Sequence, residues 1–394
     1  MVVTTLIILM VAALVVLAVQ QGVSRAAMLS VVLLLLGSAS VLTSCTKDEV
    51  IYVPDPTDAP RTSPMVTVVY SPDALGDRSY NDLIYSGVEN VSNQKSLRTL
   101  HLSPATREEG LAYLEDIFRQ TETAGDTIRR LLIVASSDYD TWLRQNNKRL
   151  EGNPRADLLY FETSTPLDGK GSTLFMPYYG AMFEAGALTP YYAPEALLIG
   201  ANPEDAPVGE AMQGFKDGFA TDLVNNQDKK YLATAYIGQH AGEGYGISDT
   251  LAMKILRENE HQSDYLWTGF KTMIVPVCGG AASAFGRLAI ILQQYLVMGI
   301  DVQNPAVNSQ FSAVKHIDRA VEKSVRQWYD GEGMPKHQTL GLASGFTELI
   351  VHNHYYIASL GRMQSTIDPP SEDLLQQIYE EAVRKEKLKM KNEE

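Results

Sequence analysis

Cysteine is scarce in this chain, since only Cys45 and Cys278 occur among its 394 residues. Two cysteines allow one intrachain disulfide at most, and none if either of them is modified. Modification of one cysteine would therefore leave the chain without an intrachain disulfide even in an oxidising compartment.

Positive charge is in the minority. The chain has 33 Lys and Arg against 47 Asp and Glu, which gives a net charge of −14 and a pI near 5.0. Recognition of nucleic acid requires a clustered cationic face, so the charge balance argues against a nucleic-acid partner. The hydrophobic share of 45% and the charged share of 20% are typical of a globular protein, and the length suits two domains or two lobes.

Familiar catalytic motifs are missing. The GLASG stretch at 341–345 has the wrong spacing for a nucleophile elbow, and DGKGS at 168–172 lacks the upstream glycine of a phosphate-binding loop. No His-Glu-x-x-His motif occurs, and the two-residue spacing of His352 and His354 suits a strand face better than a helical metal site. We therefore predict a protein that is not an enzyme and that has neither metal nor cofactor.

The N-terminus has its own pattern. Residues 1–20 and 26–44 are apolar, and the second run ends in Leu-Thr-Ser directly before Cys45. This arrangement is typical of a secretory signal, and the ending resembles the lipobox of bacterial lipoproteins. We predict a lipoprotein signal peptide at 1–44, lipid on Cys45, and a proline-rich tether over 45–64. A transmembrane anchor with an incidental cysteine is the alternative.

After residue 64, short apolar runs alternate with helical patterns, which predicts an α/β fold with parallel sheets covered on both faces. Nine predicted strands are more than one sheet usually contains, so we expect two doubly wound lobes. The predicted strands are 65–71, 97–102, 131–136, 157–163, 196–201, 231–238, 272–277, 295–301 and 338–343. The main predicted helices are 79–92, 172–187, 206–224, 248–259, 281–294, 311–329 and a tail helix from about 370.

Polar and glycine residues follow several of these strands. Ligands of open parallel sheets lie beyond the carboxyl ends of the strands. Aromatic rings, carboxylates and glycine amides together suit a flat ligand with several hydroxyl groups. The candidate ligand-binding residues are Asp77, Tyr80, Asn81, Ser136, Tyr245, Gly279, Gly280 and Asp301.

The order of several short motifs resembles one family, the basic membrane proteins or purine nucleoside receptors. These are substrate-binding lipoproteins of ATP-binding-cassette transporters. The resemblance spans about 65–346, and Tyr80 stands where the family has Phe. The matching stretches are GDRSYN at 76–81, GFKDGF at 214–219, Gly279-Gly280, GID at 299–301, SAVKHIDRAV at 312–321 and GLASGF at 341–346.

The resemblance implies a type I periplasmic-binding-protein fold, with two lobes joined by three crossovers. Lobe 1 would comprise 65–165 and about 310–335, and lobe 2 would comprise 166–309 and about 336–394. It further implies that Asp77 and Asn81 bond a nucleobase, that Tyr80 stacks on it, and that Asp301 binds ribose. Lys315 would lie near Asp301, and the Gly279 and Gly280 amides would assist. Placement alone makes Tyr245 the opposite stacking wall.

The expected function is capture of a purine-like nucleoside between the lobes by a lipid-anchored protein on the extracytoplasmic side of the cell envelope. The expected partners are this small molecule, the membrane reached through the lipid, and permease subunits of an ATP-binding-cassette transporter. The alternative is a surface-displayed scavenging or sensing lipoprotein of the same fold that has no dedicated permease.

Overall fold

The computed structural model describes residues 62–72, 74–77, 79–122, 128–224, 230–240, 242–259, 272–292, 295–302, 309–352 and 369–393. All described residues belong to one compact unit, which lies within Tyr52–Glu394. The predicted signal peptide, Cys45 and most of the tether lie outside the described residues. No helix in the described part of the chain is long and apolar enough to cross a membrane.

The strands of the described residues form three sheets. They are β1 (Met65–Val69), β2 (Arg98–Leu102), β3 (Arg130–Val134), β4 (Ala156–Phe161), β5 (Ser172–Phe175), β6 (Glu195–Gly200), β7 (Tyr231–Tyr236), β8 (Thr272–Val277), β9 (Tyr295–Val297), β10 (Gly299–Asp301), β11 (Phe311–Lys315), β12 (His337–Thr339) and β13 (Thr347–Val351).

The α-helices cover these sheets. They are α1 (Tyr80–Ser92), α2 (Arg107–Thr121), α3 (Asp140–Asn146), α4 (Tyr179–Tyr192), α5 (Ala206–Phe219), α6 (Asp249–Glu258), α7 (Ala282–Leu292), α8 (Ile317–Asp330) and α9 (Glu372–Glu393). Short 3-10 turns follow β3, α3 and β8 and precede β13.

The first sheet has six parallel strands in the order β12-β5-β4-β3-β1-β2, and the second has four in the order β7-β6-β8-β9. A third sheet places β11 between β10, which is parallel to it, and β13, which is antiparallel. The chain leaves the first sheet after β5, returns to it at β12, and leaves it again towards β13. The predicted α/β fold with two wound parallel sheets is confirmed.

Apolar strands explain where the cores lie. β6 is buried along its whole length because it lies between β7 and β8 and contacts α5, and its core includes Leu198, Ile199 and Phe215. The core of the first sheet joins β1 and β3 to α1 and α8 through residues such as Val68 and Val325. Cys278, predicted from its apolar strand end to be a small buried hydrophobic residue, is 1% exposed, which confirms that prediction.

Helices α4 and α5 pack with their backbones in close contact, and glycine makes this possible. A Cβ atom at Gly218 would collide with the Phe183 carbonyl, and one at Gly214 would collide with the Tyr179 carbonyl. Gly186 faces the Phe215 carbonyl in the same way from the other helix. The glycines of the GFKDGF motif therefore serve helix packing.

Three predicted segments differ from the structure. The helix predicted at 311–329 begins only at Ile317, because Phe311–Lys315 is strand β11. The helix predicted at 172–187 is strand β5 followed by α4, and the strand predicted at 338–343 ends at Thr339. In addition, β5 and β12 pair within the first sheet, which differs from the predicted assignment of 166–309 and 336–394 to lobe 2.

Candidate functional site

Loops at the carboxyl ends of the two parallel sheets face one another. Asp77 follows β1 and Gly280 follows β8, and a Cβ atom built on Gly280 would lie 3.4 Å from the Cβ of Asp77. Asp138 follows β3 and Gly242 follows β7, and a Cβ atom on Gly242 would lie 3.6 Å from Asp138 Oδ1. The ends predicted to bind a ligand therefore come together between the sheets.

Asp77 organises the start of α1. Its Oδ1 accepts the backbone N–H groups of Ser79 at 2.8 Å and Asp82 at 3.3 Å, while Oδ2 accepts the backbone N–H of Asn81 at 3.1 Å and its Nδ2 at 2.9 Å. Burial raises the pKa of Asp77 although these hydrogen bonds oppose the shift. A carboxylate that receives the first N–H groups of a helix is a cap, so Asp77 holds Asn81 and its helix in position.

Asp301 ends β10 and joins three parts of the molecule. Its backbone has a φ of 61°, a left-handed conformation that Asp adopts more readily than most residues. Oδ2 accepts the Ser79 hydroxyl at 2.8 Å, and Tyr178 Oη lies 3.0 Å from Oδ1 and accepts the Asp301 N–H at 2.7 Å. The side chain predicted to bind ribose thus already has partners from α1 and from the start of α4.

Lys315 forms a buried ion pair. Its Nζ donates to Glu162 Oε1 at 2.8 Å, and the two side chains are 7% and 8% exposed. The same Nζ lies 4.4 Å from the ring centre of Tyr178. Burial lowers the pKa of Lys315, but the charges of Glu162 and Asp301 outweigh burial and leave the pKa raised. The residue is at the end of β11, so its predicted place on a helix was wrong.

Three acceptor atoms at this place are buried and have no partner. They are Tyr80 Oη, Asn81 Oδ1 and Glu162 Oε2. Burial, reinforced by the charges of Glu162 and Asp301, holds the pKa of Tyr80 well above its ordinary value. Buried polar atoms without hydrogen bonds are costly and uncommon. We call these atoms the three free acceptors, and they mark a position where a ligand could bind.

Tyr245 lies on the side of the second sheet. Its hydroxyl donates to Asp205, the carboxylate that caps α5 at the Val208 N–H, and burial raises its pKa well above the ordinary value. A Cβ atom on Gly279 would lie 3.2 Å from the Tyr245 ring, and Gly279 has a φ of 51°. The structure therefore brings Tyr245, Gly279 and Gly280 together, opposite Asp77.

Ser136 is placed nearby but is already engaged. Its Oγ donates to Asp138 Oδ2 at 2.7 Å and accepts the Asp138 N–H at 3.1 Å, which caps the turn after β3. Asp138 in turn raises the pKa of Tyr245, after burial and Asp205. Ser136 thus shapes the loop that carries an acid towards the second sheet.

Sequence reasoning missed four members of this site: Ser79, Glu162, Tyr178 and Asp205. The sequence offered one signal for Glu162, which lies near the end of a predicted buried strand. The structure adds that its φ is 58°, which is unusual for a residue other than glycine. Tyr178 fell inside a predicted helix that hid its position at the helix start. No group of His, Cys, Asp or Glu able to hold a metal was found among the described residues.

No protein-family model matches the chain, and no curated protein matches it. Solved structures do resemble it. A solute-binding protein of an ABC transporter system from Aeropyrum pernix K1 has a TM-score of 0.59 at 15% identity and covers 73% of this chain and 76% of its own. An ABC transporter solute-binding protein from Burkholderia graminis, in complex with D-arabinose, has a TM-score of 0.53 at 14% identity over 76% and 99%.

A transcriptional activator of the comK gene from Bacillus halodurans is also similar, with a TM-score of 0.51 at 13% identity over 81% of this chain and 96% of that one. Identities this low establish a shared fold and nothing finer. The predicted type I periplasmic-binding-protein fold is confirmed. The predicted purine nucleoside receptor family remains a prediction.

Proposed function

We propose that this chain is an extracytoplasmic solute-binding protein that captures a neutral ligand between its two parallel sheets for an ATP-binding-cassette transporter. The observation that carries the proposal is the set of three free acceptors at the place where carboxyl-end loops of both sheets meet. A ligand that donates hydrogen bonds to Asn81 Oδ1 and Glu162 Oε2, and that donates to or accepts from the Tyr80 hydroxyl, would give all three atoms a partner. The fold shared with solute-binding proteins supports this reading.

The charges around the site restrict the ligand. Lys315 is already paired with Glu162, and Asp77, Asp138 and Asp205 add negative charge on both sides. Among the described side chains at these loops a phosphate group would meet mainly acids, so an anionic ligand is disfavoured. Hydroxyl or amino groups, in contrast, donate to Glu162 Oε2 and to Asn81 Oδ1.

We propose a purine-like nucleoside as this ligand. Its sugar hydroxyls would face Asp301 and Glu162, with Lys315 fixing the Glu162 carboxylate, and its base would approach Asn81 and Asp77. Tyr80 and Tyr245 offer rings for its faces, and the Gly279 and Gly280 amides are close to Tyr245. The Ser136 hydroxyl is engaged by Asp138 and would not contact the ligand. A monosaccharide is the second candidate, because the similar Burkholderia graminis protein is described in complex with D-arabinose.

Calorimetry with panels of nucleosides, nucleoside monophosphates and monosaccharides tests the proposal. We expect heat from at least one nucleoside, weaker binding of its 5′-monophosphate, and a loss of about tenfold or more in affinity for Glu162→Gln. Ser136→Ala is the matched control, since its hydroxyl bonds only within its own loop. If no nucleoside gives heat of binding while a monosaccharide does, the nucleoside assignment is wrong. If neither nucleosides nor monosaccharides give heat of binding, the proposed binding function is wrong.

We also propose that lipid on Cys45 anchors the protein to the extracytoplasmic side of the envelope. Cys45→Ser should then release the protein from the membrane fraction. Permease and ATPase genes beside its gene would favour transport. Their absence, together with protease accessibility on intact cells, would favour the alternative of a surface-displayed scavenging or sensing lipoprotein.

A further inference from the structure

A cavity lies away from the loops where the two parallel sheets meet, between α4, β13 and α9. Its volume is about 260 Å³. None of the residues of the site described above lines it. Its lining combines apolar and polar side chains, and the residues that matter here are Glu184, Leu188, Leu349, Val351, Leu375 and Ile378.

Glu184 is the exceptional residue of this wall. It lies in the middle of α4, is 7% exposed, and its Oε2 is buried without a hydrogen-bond partner. Burial raises its pKa to about 8, and the nearby carboxylates of Glu386 and Glu348 add to the shift. A buried carboxylate with no cation beside it is strongly unfavourable.

The other polar groups at the cavity do not neutralise Glu184. Glu372 lies at its exposed end, Tyr379 and Gln376 also line it, and Glu386 from α9 is committed to the N–H groups of Gly180 and Leu342. The lining residues include several hydrogen-bond groups but no lysine or arginine. The cavity therefore has a buried acid, Glu184, next to apolar side chains, and further polar groups towards its exposed end.

We propose that this cavity binds a small organic amine, with its ammonium group against Glu184 and its apolar body against Leu188, Leu349 and Ile378. An ammonium supplies the missing cation and donates to the unpartnered oxygen. Anions are disfavoured by the acids. A metal ion is disfavoured because the described residues contain no group of ligands suited to hold one.

Calorimetry on the full-length protein with cyclohexylmethylamine and its neutral analogue cyclohexylmethanol tests the proposal. We expect the amine to bind at least about tenfold more tightly than the alcohol, and Glu184→Gln to remove that preference. Asp301→Asn is the matched control in the other site, and it should leave amine binding unchanged. Thermal melting of each variant tests whether the fold is retained.

A second measurement needs no variant. At pH 7 the raised pKa leaves Glu184 largely protonated, so an ammonium that binds it should release up to one proton. Repeating the titration in two buffers with different ionisation enthalpies measures that proton. Four outcomes would each overturn the proposal. They are that the amine gives no heat of binding, that it binds no more tightly than the alcohol, that Glu184→Gln binds the amine as the wild type does, and that binding releases no proton. Because Glu184 is remote from the three free acceptors, these outcomes do not depend on the nucleoside assignment.

Discussion

Two buried glutamates of this protein have opposite surroundings. Glu162, between the sheets, has Lys315 at 2.8 Å and leaves only one oxygen free. Glu184, on α4, is 7% exposed, and the described charges that shift its pKa are those of the acids Glu386 and Glu348. The same side chain is thus part of a compensated ion pair in one region and an uncompensated acid in the other.

The difference shows that the effect of burying a glutamate depends on the charges around it. A buried ion pair is sensitive to the loss of either member, because the remaining charge has no partner. An unpaired buried acid lowers stability by itself and is relieved by protonation or by a cation. The first arrangement favours a fixed orientation of Glu162 towards a ligand, whereas the second favours a site that remains responsive to what enters it.

The largest expected effect is that of Lys315→Met. This change leaves Glu162 buried without its cation, and we expect a loss of about 3–5 kcal/mol in the free energy of unfolding, measured by urea denaturation. The double variant Lys315→Met/Glu162→Gln should recover part of that loss, since it removes the stranded charge. If Lys315→Met alone is as stable as the wild type, the prediction is wrong and the Lys315–Glu162 pair is exposed to solvent.

The second prediction concerns the pH dependence set by Glu184. Its folded-state pKa, near 8, lies above that of the unfolded chain, so the protonated acid stabilises the fold at low pH and this contribution is lost as pH rises through about 8. Glu184→Gln should therefore increase the free energy of unfolding by about 2–3 kcal/mol near pH 9, and by little near pH 5.

Glu386→Gln is the matched control for that comparison. Glu386 has a pKa raised to about 7 by burial, but both its oxygens accept backbone N–H groups. Its replacement should destabilise the fold where Glu184→Gln stabilises it. Urea denaturation across this pH range distinguishes the two variants, and an equal loss from both would show that Glu184 has a partner.

A smaller effect is expected for Tyr80→Phe. The hydroxyl removed is one of the three free acceptors, so the stability of the ligand-free protein should be unchanged or slightly higher. Affinity for the nucleoside found by calorimetry should fall about tenfold, because one hydrogen bond to the ligand is lost. Unchanged affinity would mean that the ligand does not reach this hydroxyl.

The smallest effect should come from Ser79→Ala. This change removes the hydroxyl that joins α1 to Asp301 at 2.8 Å, and we expect a loss of about 1 kcal/mol in the free energy of unfolding. Ser136→Ala also removes a hydroxyl–carboxylate hydrogen bond, but one within a single loop. Only Ser79→Ala should weaken ligand binding; equal effects on affinity would contradict a special role for Asp301.

Sequence patterns predicted the wound sheets well, because continuous apolar runs such as 131–136 and 196–201 read directly as buried strands. β11 was missed because Phe311, Val314 and Ile317 are spaced like a helical stripe, while pairing with β10 and β13 makes the first two part of a strand. Periodicity cannot detect such a pairing.

The sequence predicted candidate site residues only where polar side chains follow the end of a predicted strand. Asp77, Tyr80, Asn81 and Asp301 were proposed as ligand-binding residues in this way, and the structure brings their loops together; their binding role remains a prediction. The partners were not predictable, since Glu162 and Lys315 are separated by 153 residues and neither carries a motif of its own. Contacts between distant segments depend on the sheet order, which local patterns do not contain.

Cys278 offers a practical advantage for following motion between the sheets. Its thiol is buried and its pKa is raised by burial, so it should react slowly with maleimides. With Cys45 carrying lipid as proposed, the wild-type chain would supply almost no labelling background. Cysteines engineered on opposite lobes could then carry a fluorophore pair, and energy transfer between the two dyes would report how far a bound solute closes the gap.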